Sequence, residues 1–134
     1  MDQAAGTLFN FFKKTSHSKK LLGFESSPEE VIRQSIILLL STDRGERKLH
    51  PEFGSQLRTF MFRRSSEALF SKIADHVYEC IEAQEKRVRV DSVDVQRRNP
   101  KDAILDILIR YTIEGSGLKQ SLQYFIELRV SIMV

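Results

Sequence analysis

Apolar residues recur three and four positions apart downstream of Ser27, and this spacing predicts an amphipathic helix. Ser27 suits the N-cap, Pro28 suits the first helical position, and Glu30 completes a capping box. The helix should end near residues 41–42, and its broad apolar face predicts that it is well buried. The apolar positions are Ile32, Ile36, Ile37, Leu38, Leu39 and Leu40.

The same spacing predicts a second helix that begins at Ser65 or Ser66 and ends at about Gln84. The only cysteine of the chain, Cys80, lies on the apolar face of this helix, so we interpret it as a packing residue. A single cysteine also excludes an internal disulfide. The positions of the apolar face are Leu69, Phe70, Ile73, Val77, Cys80 and Ile81.

The last third of the chain alternates apolar and polar residues, which predicts three strands joined by short turns. In the first strand, Val88 and Val90 share one parity, whereas Val93 and Val95 share the other. A strand cannot bury both pairs on one face without an extra residue, so we predict a bulge at residues 91–92. The two turns are Asn99–Pro100 and Gly115–Gly117, and the third run continues from Gln120 to Met133.

Together these elements predict an α+β fold. Two main helices pack on one face of a C-terminal three-stranded antiparallel meander, with a loop-rich segment between the helices. This segment, residues 43–64, is interrupted by Gly45, Pro51 and Gly54. One short strand is expected within it, around Lys48.

Residues 1–25 form a short N-terminal arm that differs in composition from the expected single domain, residues 26–134. The arm carries a cluster of apolar residues next to four lysines. Three structures remain open for the arm: a short helix packed on the domain, a mobile arm that docks its aromatic residues on a neighbour, or disorder. The apolar residues are Leu8, Phe9, Phe11 and Phe12, and the lysines are Lys13, Lys14, Lys19 and Lys20.

The composition is that of a soluble globular domain: 134 residues, 41% hydrophobic and 29% charged. The longest apolar run, Ile36 to Leu40, is far shorter than the roughly 18–20 residues that span a membrane, so we expect no membrane insertion. The first residues lack the layout of a signal peptide, which favours assembly in the bacterial cytoplasm.

Basic residues cluster in the loop-rich segment, where residues 44–64 hold six basic and two acidic residues, a net charge of +4. Exposed aromatics do not alternate with the arginines, and the net charge of the chain is only +3. We therefore expect no nucleic-acid partner, although phosphate neutralisation is what such a cluster does well. The basic loop residues are Arg44, Arg47, Lys48, Arg58, Arg63 and Arg64.

The sequence does not carry a recognisable catalytic or metal-binding pattern. Its three histidines, His17, His50 and His76, are scattered, and we expect neither a metal nor a cofactor. A glycosidase needs two carboxylates about 5–10 Å apart across a cleft. Nothing in the spacing of Glu46 and Glu52 sets such a separation, so we expect no catalytic residues and no enzymatic activity.

The third predicted strand is the last element of the chain and should therefore lie at an edge of the sheet. A free edge is a template for a strand from another chain. The alternative is an edge that charged side chains keep from pairing, here Lys119, Glu127 and Arg129.

Several positions of the loop-rich segment resemble the signature of a known family. They are Thr42, Gly45–Arg47, Pro51–Ser55, Leu57 and the Phe60–Phe62 pair. The segment is similar to the baseplate wedge family of contractile phage tails, the lysozyme-like inner wedge subunits. The family includes the equivalent subunits of type VI secretion and extracellular contractile injection systems. The resemblance covers about residues 26–134.

A charged Glu-Pro-Arg motif of this family corresponds to Glu85–Arg87 in this chain. Lys86 stands where the family usually has proline. Proline would end the helix sharply, whereas lysine allows it to run on, so the presentation of Glu85 and Arg87 stays open at this point.

The resemblance implies a structural wedge subunit of the inner baseplate, present in several copies, six in a ring. It implies that the Glu85 and Arg87 charges contact the core bundle formed by other wedge proteins. It also implies that the third strand, including Gln123, Phe125, Glu127 and Arg129, accepts an extended arm of the sheath protein.

The Pro51–Gly54 turn should mainly shape the loop, with direct partner contact as a second role. The basic loop is a candidate for contact with the tube or hub surface. The predicted partner-binding residues of this region are Arg47, Pro51, Phe53 and Gly54.

Two further functions remain open. The first is a peptidoglycan hydrolase, which the older lysozyme label of the family suggests. Sustained clearing of cell walls by the pure protein would indicate it. The second is a small regulatory binding protein on the same fold, which would form a stable one-to-one complex with a soluble partner.

Overall fold

The structure, a computed structural model, describes residues 27–101 and 103–129. In this part of the chain, helix α1 spans Pro28–Ser41, α2 spans Leu57–Phe60 and α3 spans Glu67–Gln84. The first and third are the two helices expected from the sequence. The second is a single turn that the apolar spacing did not predict.

Serine side chains begin both long helices, as predicted. Ser27 Oγ accepts a hydrogen bond from the Glu30 N–H at 3.2 Å, and Ser66 Oγ accepts one from the Leu69 N–H at 3.0 Å. Of the two candidate caps of α3, Ser66 is therefore the one used. The Glu30 carboxylate accepts a hydrogen bond from Gln34 on the next turn of α1.

Three strands form one antiparallel sheet in the order β1-β2-β3, which confirms the predicted meander. β1 spans Val88–Arg97, β2 spans Ile104–Ile113 and β3 spans Lys119–Glu127. The register of β1 against β2 shifts between Val90 and Ser92. This is the predicted bulge, and it allows the valines on both sides of it to face the core.

The helices cover one face of the sheet, and α3 lies against β1. One hydrophobic cluster contains the apolar faces of α1 and α3 together with alternate residues of all three strands. Burying one such side chain contributes about 1.5–3 kcal/mol. Among the least exposed side chains are Ile36, Leu39, Ile73, Ile81, Ile107, Ile109 and Leu122.

The segment between α1 and α2 is irregular, and the strand expected around Lys48 is absent. Its one β-type contact is an isolated parallel bridge between Asp43 and Ser55. The reason is that the hydrogen bonds of this segment run between its two ends instead of to the sheet: Arg44 N–H donates to Ser55 O, and Ser55 N–H donates to Thr42 O. No helix in the described part of the chain has the length and hydrophobicity needed to cross a bilayer.

The third predicted run extends beyond β3, which ends at Glu127. Leu128 is still anchored to the sheet, because its N–H donates to the Ala103 carbonyl at 2.8 Å. The predicted N-terminal arm and residues 130–134 lie outside the described residues.

Candidate partner-binding site

The loop after α1 is held at Gly54, which packs against two other segments. Gly54 has φ +120°, and a Cβ there would lie 2.5 Å from the Thr42 carbonyl oxygen, so the position requires glycine. The Gln84 side chain binds both backbone groups of Gly54: Nε2 donates to its carbonyl at 2.9 Å, and Oε1 accepts from its N–H at 3.1 Å. The end of α3 is thereby tied to the loop.

Cys80, one turn before Gln84, donates its thiol to the same Gly54 carbonyl at 3.4 Å. Burial raises the pKa of this thiol to about 11, so it stays protonated at neutral pH. The prediction that Cys80 is a packing residue is confirmed, since its side chain lies in the hydrophobic cluster.

The predicted partner-binding residues of this loop divide into buried and exposed ones. Phe53 and Gly54 are buried, and the Arg47 guanidinium covers the Phe53 ring at 4.8 Å from its centroid. Pro51 is exposed, and its carbonyl accepts a hydrogen bond from the Gly45 N–H at 2.8 Å. Of the four residues, Arg47 and Pro51 are therefore the ones that a partner can reach.

Glu85 is a buried carboxylate surrounded by donors. Arg87 Nε and Nη2 each donate to it at 2.8 Å, and the Arg87 backbone N–H donates at 3.2 Å. The Ser35 hydroxyl, from the buried face of α1, donates to Oε2 at 2.5 Å. Such a bidentate, charge-assisted arrangement fixes both side chains.

The motif follows directly after the helix. As predicted, α3 ends at Gln84, and Glu85 is already extended, with φ −118° and ψ 93°. The side chains of Gln84 and Glu85 are bound in the interior, and this draws the chain out of the helix without proline. The Glu85 carboxylate does not lie on the surface: its side chain is 2% exposed, whereas that of Arg87 is 27% exposed.

His76 joins α3 to the start of α2. Its Nε2 accepts a hydrogen bond from the Gln56 N–H at 2.9 Å, and its ring lies 5.5 Å from that of Phe60. Burial lowers the pKa of this imidazole and the nearby Arg44 charge lowers it further, while Glu79 acts in the opposite direction. The neutral form is the one that can accept the Gln56 hydrogen bond.

The hydrogen bonds between β2 and β3 determine which backbone groups of β3 point outwards. Ile113 N–H donates to Leu118 O at one end of the pair, and Leu128 N–H donates to Ala103 O at the other. Antiparallel strands alternate between bonded and non-bonded pairs. Even-numbered residues of β3 therefore bond to β2, and odd-numbered residues direct their N–H and C=O groups away from it.

Two contacts limit this outward edge. Arg33 of α1 donates Nη1 to the Ser121 carbonyl at 2.9 Å. The Arg129 N–H donates to the Met61 carbonyl at 2.6 Å. Between them lie three residues whose outward backbone groups no described residue binds: Gln123, Phe125 and Glu127.

The structure brings together Gln123, Phe125, Glu127 and Arg129 on one exposed edge. It keeps them apart from Arg87, whose carbonyl accepts from Glu114 beyond the other end of β2, on the opposite side of the sheet. The Phe125 ring, 59% exposed, lies under the Arg98 guanidinium, 5.1 Å from the ring centroid. The predicted residues thus form two separate sites.

The loop carboxylates are engaged in local contacts. Glu46 Oε2 accepts from the Asp43 N–H at 3.0 Å, and the Asp43 carboxylate lies 3.3 Å from Arg58 Nη1. Glu52 lies 3.9 Å from His50 Nδ1. These contacts brace the loop.

Sequence reasoning missed several residues that build these sites. Ser35 and Gln84 are polar residues on buried helix faces, and that contradiction is a signal that a buried polar partner exists. Arg33 and Met61, which limit the open edge, left no such signal because their contacts are to backbone carbonyls and amides far along the chain.

Residues 26–117 match the family model described as baseplate wedge protein gp25. A candidate tail lysozyme from Geobacter sulfurreducens has a crystal structure that is 30% identical, with a TM-score of 0.75. That match covers 81% of this chain and 97% of the other. No curated protein matches the sequence significantly.

Two baseplate structures are also similar. A chain of the postcontracted R2 pyocin baseplate is 28% identical with a TM-score of 0.55, covering 63% of this chain and 83% of that one. A chain of the anti-feeding prophage baseplate is 18% identical with a TM-score of 0.54, covering 80% of this chain and 74% of that one. The latter similarity concerns the fold alone.

Proposed function

The chain belongs to the gp25 family of baseplate wedge proteins, and from this premise we propose that it is a non-enzymatic subunit linking the wedge core bundle to the first sheath ring. Such a link needs two separate contact sites on one rigid domain. The observation that carries the proposal is the open stretch of β3 at Gln123, Phe125 and Glu127, whose outward backbone groups no described residue binds.

The sheath contact in this proposal is strand addition. An extended arm of the sheath protein pairs with the outward N–H and C=O groups of β3 and continues the sheet by one strand. Main-chain hydrogen bonds supply affinity that depends little on side chains. Arg33 and Met61 keep the arm from pairing beyond the open stretch, so they set its register.

The core-bundle contact is made by Arg87 in this proposal, and Glu85 acts through it. The buried Glu85 carboxylate holds the partly exposed guanidinium in one orientation. A charge fixed in this way gives specificity and register at an interface, whatever its net effect on affinity. Arg47 and Pro51 lie on the loop that Gln84 ties to the same end of α3, and they extend this surface.

We place several copies of the subunit, six in a ring, around the tail tube of a contractile injection machine assembled in the bacterial cytoplasm. Repetition around a ring converts weak contacts into stable attachment. The exposed arginines and lysine of the 44–64 segment face the tube or hub in this arrangement.

The experiment is electron microscopy of particles from cells with and without this gene, combined with a turbidity assay on cell walls. We expect deletion to leave tubes or partial baseplates without sheath, and the pure protein to leave cell walls intact. Normal sheathed particles in the deletion strain exclude the wedge role. Sustained clearing that is lost in Glu46→Gln or Glu52→Gln identifies a hydrolase instead.

A further inference from the structure

β1 forms the other edge of the sheet, and part of that edge lacks a partner among the described residues. The Arg98 N–H donates to the Ile104 carbonyl at 2.9 Å, so the even-numbered residues between the bulge and Arg98 bond to β2. Val93 and Val95 therefore direct their N–H and C=O groups away from β2. No described residue binds these outward groups.

Contacts with α3 limit this stretch at both ends. The outward N–H of Val90, before the bulge, donates to Glu82 Oε1 at 2.8 Å. At the other end, Arg97 Nη2 donates to the hydroxyl of Ser65, just before α3, at 2.6 Å. The helix therefore runs antiparallel to β1. An added strand has room between these two contacts, along about five residues or 17 Å.

The hydrophobic core is incompletely covered along the same stretch. Val93 and Val95 are half-buried, whereas their partners on β2, Ile109 and Ile107, are fully buried. Phe70 of α3 is also half-buried and packs against the same cluster. Residues directly opposite each other on neighbouring strands share a face of the sheet, so an added strand would place side chains beside these valines. Large apolar side chains suit this position.

The exposed surface of α3 is acidic. The helix contains four carboxylates and one lysine. Asp75 lies two turns before Glu82 on the same side of the helix, and Glu67, Asp75 and Glu79 are exposed. Within the described part of the chain, no basic side chain forms an ion pair with any of the four carboxylates. A segment bound along this edge should therefore carry positive charge.

We infer that the chain's own N-terminal arm binds this edge, adding residues 8–12 to β1 as a fourth strand and placing its lysines near α3. The apolar cluster of the arm lies in residues 8–12, and residues 7–20 contain four lysines and no acidic residue. The arm thus offers both properties that the edge favours. It lies outside the wedge family match, which begins at residue 26.

The connection to α1 is long enough for this contact. Residues 13–26 join the apolar cluster to the domain and span up to about 45 Å when extended. A domain of about 100 residues has a radius of gyration of only about 13 Å. A segment tethered in this way meets its site at an effective concentration in the millimolar range, so weak contacts suffice.

Amide hydrogen exchange of the full chain, followed by NMR, tests the inference. We expect the outward amides of Val93 and Val95 to be protected in the wild-type chain. They should exchange at least about tenfold faster when the three phenylalanines of the arm are replaced by serine. The substitutions are Phe9→Ser, Phe11→Ser and Phe12→Ser.

Two internal controls belong to the same measurement. The Asp94 amide bonds to β2 and should stay protected in the serine variant. The outward amides of Gln123 and Phe125, on the opposite edge, should exchange at the same rate in both proteins. Unchanged exchange at the two β1 valines overturns the inference. Acceleration that is equal at Asp94, or larger at the β3 amides, also overturns it.

Charge reversal tests the contact with α3. Lys13→Glu with Lys14→Glu should accelerate exchange of the two β1 valine amides by about threefold. Addition of Asp75→Lys with Glu79→Lys should restore protection, because it reverses the opposing charges.

A second lysine pair is the matched control for this rescue. Glu52→Lys with Glu127→Lys changes the net charge equally at exposed positions outside α3 and β1, and it should not restore protection. Equal restoration by the two pairs, or none by either, overturns the placement of the lysines near α3.

Dilution identifies which chain supplies the arm. Protection by the chain's own arm should be unchanged over a tenfold dilution. Protection that falls on dilution, together with a dimer in sedimentation, indicates the arm of a second copy and overturns the inference. The sheath contact proposed above uses β3 and does not depend on these outcomes, because the arm binds the opposite edge.

Discussion

The Arg87 guanidinium donates two parallel hydrogen bonds to the buried Glu85 carboxylate, from Nε and Nη2, each at 2.8 Å. The Ser35 hydroxyl completes the site from α1, fifty positions earlier in the chain. Removing one member of such a set leaves the others desolvated and unpaired, which costs more than the net contribution of the interaction itself.

Glu85→Ala should lower the free energy of unfolding by about 2–4 kcal/mol, because it leaves the Ser35 hydroxyl and the Arg87 guanidinium without their acceptor. Urea denaturation followed by circular dichroism measures the change. Glu114→Ala, in the exposed turn after β2, is the control and should change stability by less than about 0.5 kcal/mol. Equal effects of the two substitutions would contradict the assignment of Glu85 as an internal anchor.

Arg87→Lys should leave the domain folded but reduce incorporation into baseplates, because lysine keeps the charge and cannot form the two parallel hydrogen bonds. Arg87→Glu is a poorer test, since it would place a second carboxylate against the buried Glu85 and unfold the site. Co-purification with the other wedge proteins measures incorporation. Arg89→Lys, at an exposed position of β1, is the matched control and should incorporate normally. Normal incorporation of Arg87→Lys would show that the contact does not require the two parallel hydrogen bonds of Arg87.

Gly54→Ala should destabilise the domain by more than about 2 kcal/mol, because the new Cβ meets the Thr42 carbonyl in addition to the strain of positive φ. Gly115→Ala is the control, because it also places alanine at a positive φ, +91°, but has no atom within 4 Å of the added Cβ. Its loss should be about 1 kcal/mol. Thermal unfolding of both variants separates the clash from the backbone strain, and equal losses would show that the close approach does not matter.

His76 should make stability depend on pH. Its folded-state pKa lies below the unfolded value of about 6.5, so the unfolded state binds more protons between the two values, and stability rises with pH through that window. The stabilisation by neutral His76 is complete above the unfolded pKa and is lost as pH falls through the folded one. Urea midpoints from about pH 4.5 to 7.5 should show this fall.

His76→Gln is the comparison, because its amide oxygen can accept from the Gln56 N–H without titrating. The difference in stability between the wild-type chain and this variant should shrink or change sign as the pH is lowered, while groups unaffected by the substitution contribute equally to both. Parallel pH profiles of the two proteins would exclude His76 as the source.

Local patterns of the sequence predicted the long helices, the three strands and the bulge at Asp91, because each is determined by the spacing of neighbouring residues. They did not predict α2 or the contacts that bury Glu85. These depend on contacts between distant residues, such as Gln84 with Gly54 and Ser35 with Glu85. Periodicity cannot reveal such pairs. It reveals only that a polar residue occupies a buried face and therefore requires a partner.

The candidate site was predictable to the same extent. Alternation and chain order placed β3 at the edge of the sheet. The odd-numbered positions of β3, which the alternation predicts to be exposed, include Gln123, Phe125 and Glu127. The burial of Glu85 was not predictable, because a charged residue after a helix is usually exposed.

Proline at Gln123 should block sheath attachment and leave the domain folded. The Gln123 N–H points away from β2, so proline removes a donor that only an added strand would use. Proline at Tyr124 is the matched control one residue away. The Tyr124 N–H bonds to β2, so that variant should lose a ladder hydrogen bond and unfold or melt at a much lower temperature. Circular dichroism measures folding, and electron microscopy of particles measures the sheath. Folded Gln123→Pro protein that supports normal sheathed tails would show that the sheath does not pair with this edge, and equal unfolding by both prolines would show that β3 bonds on both of its sides.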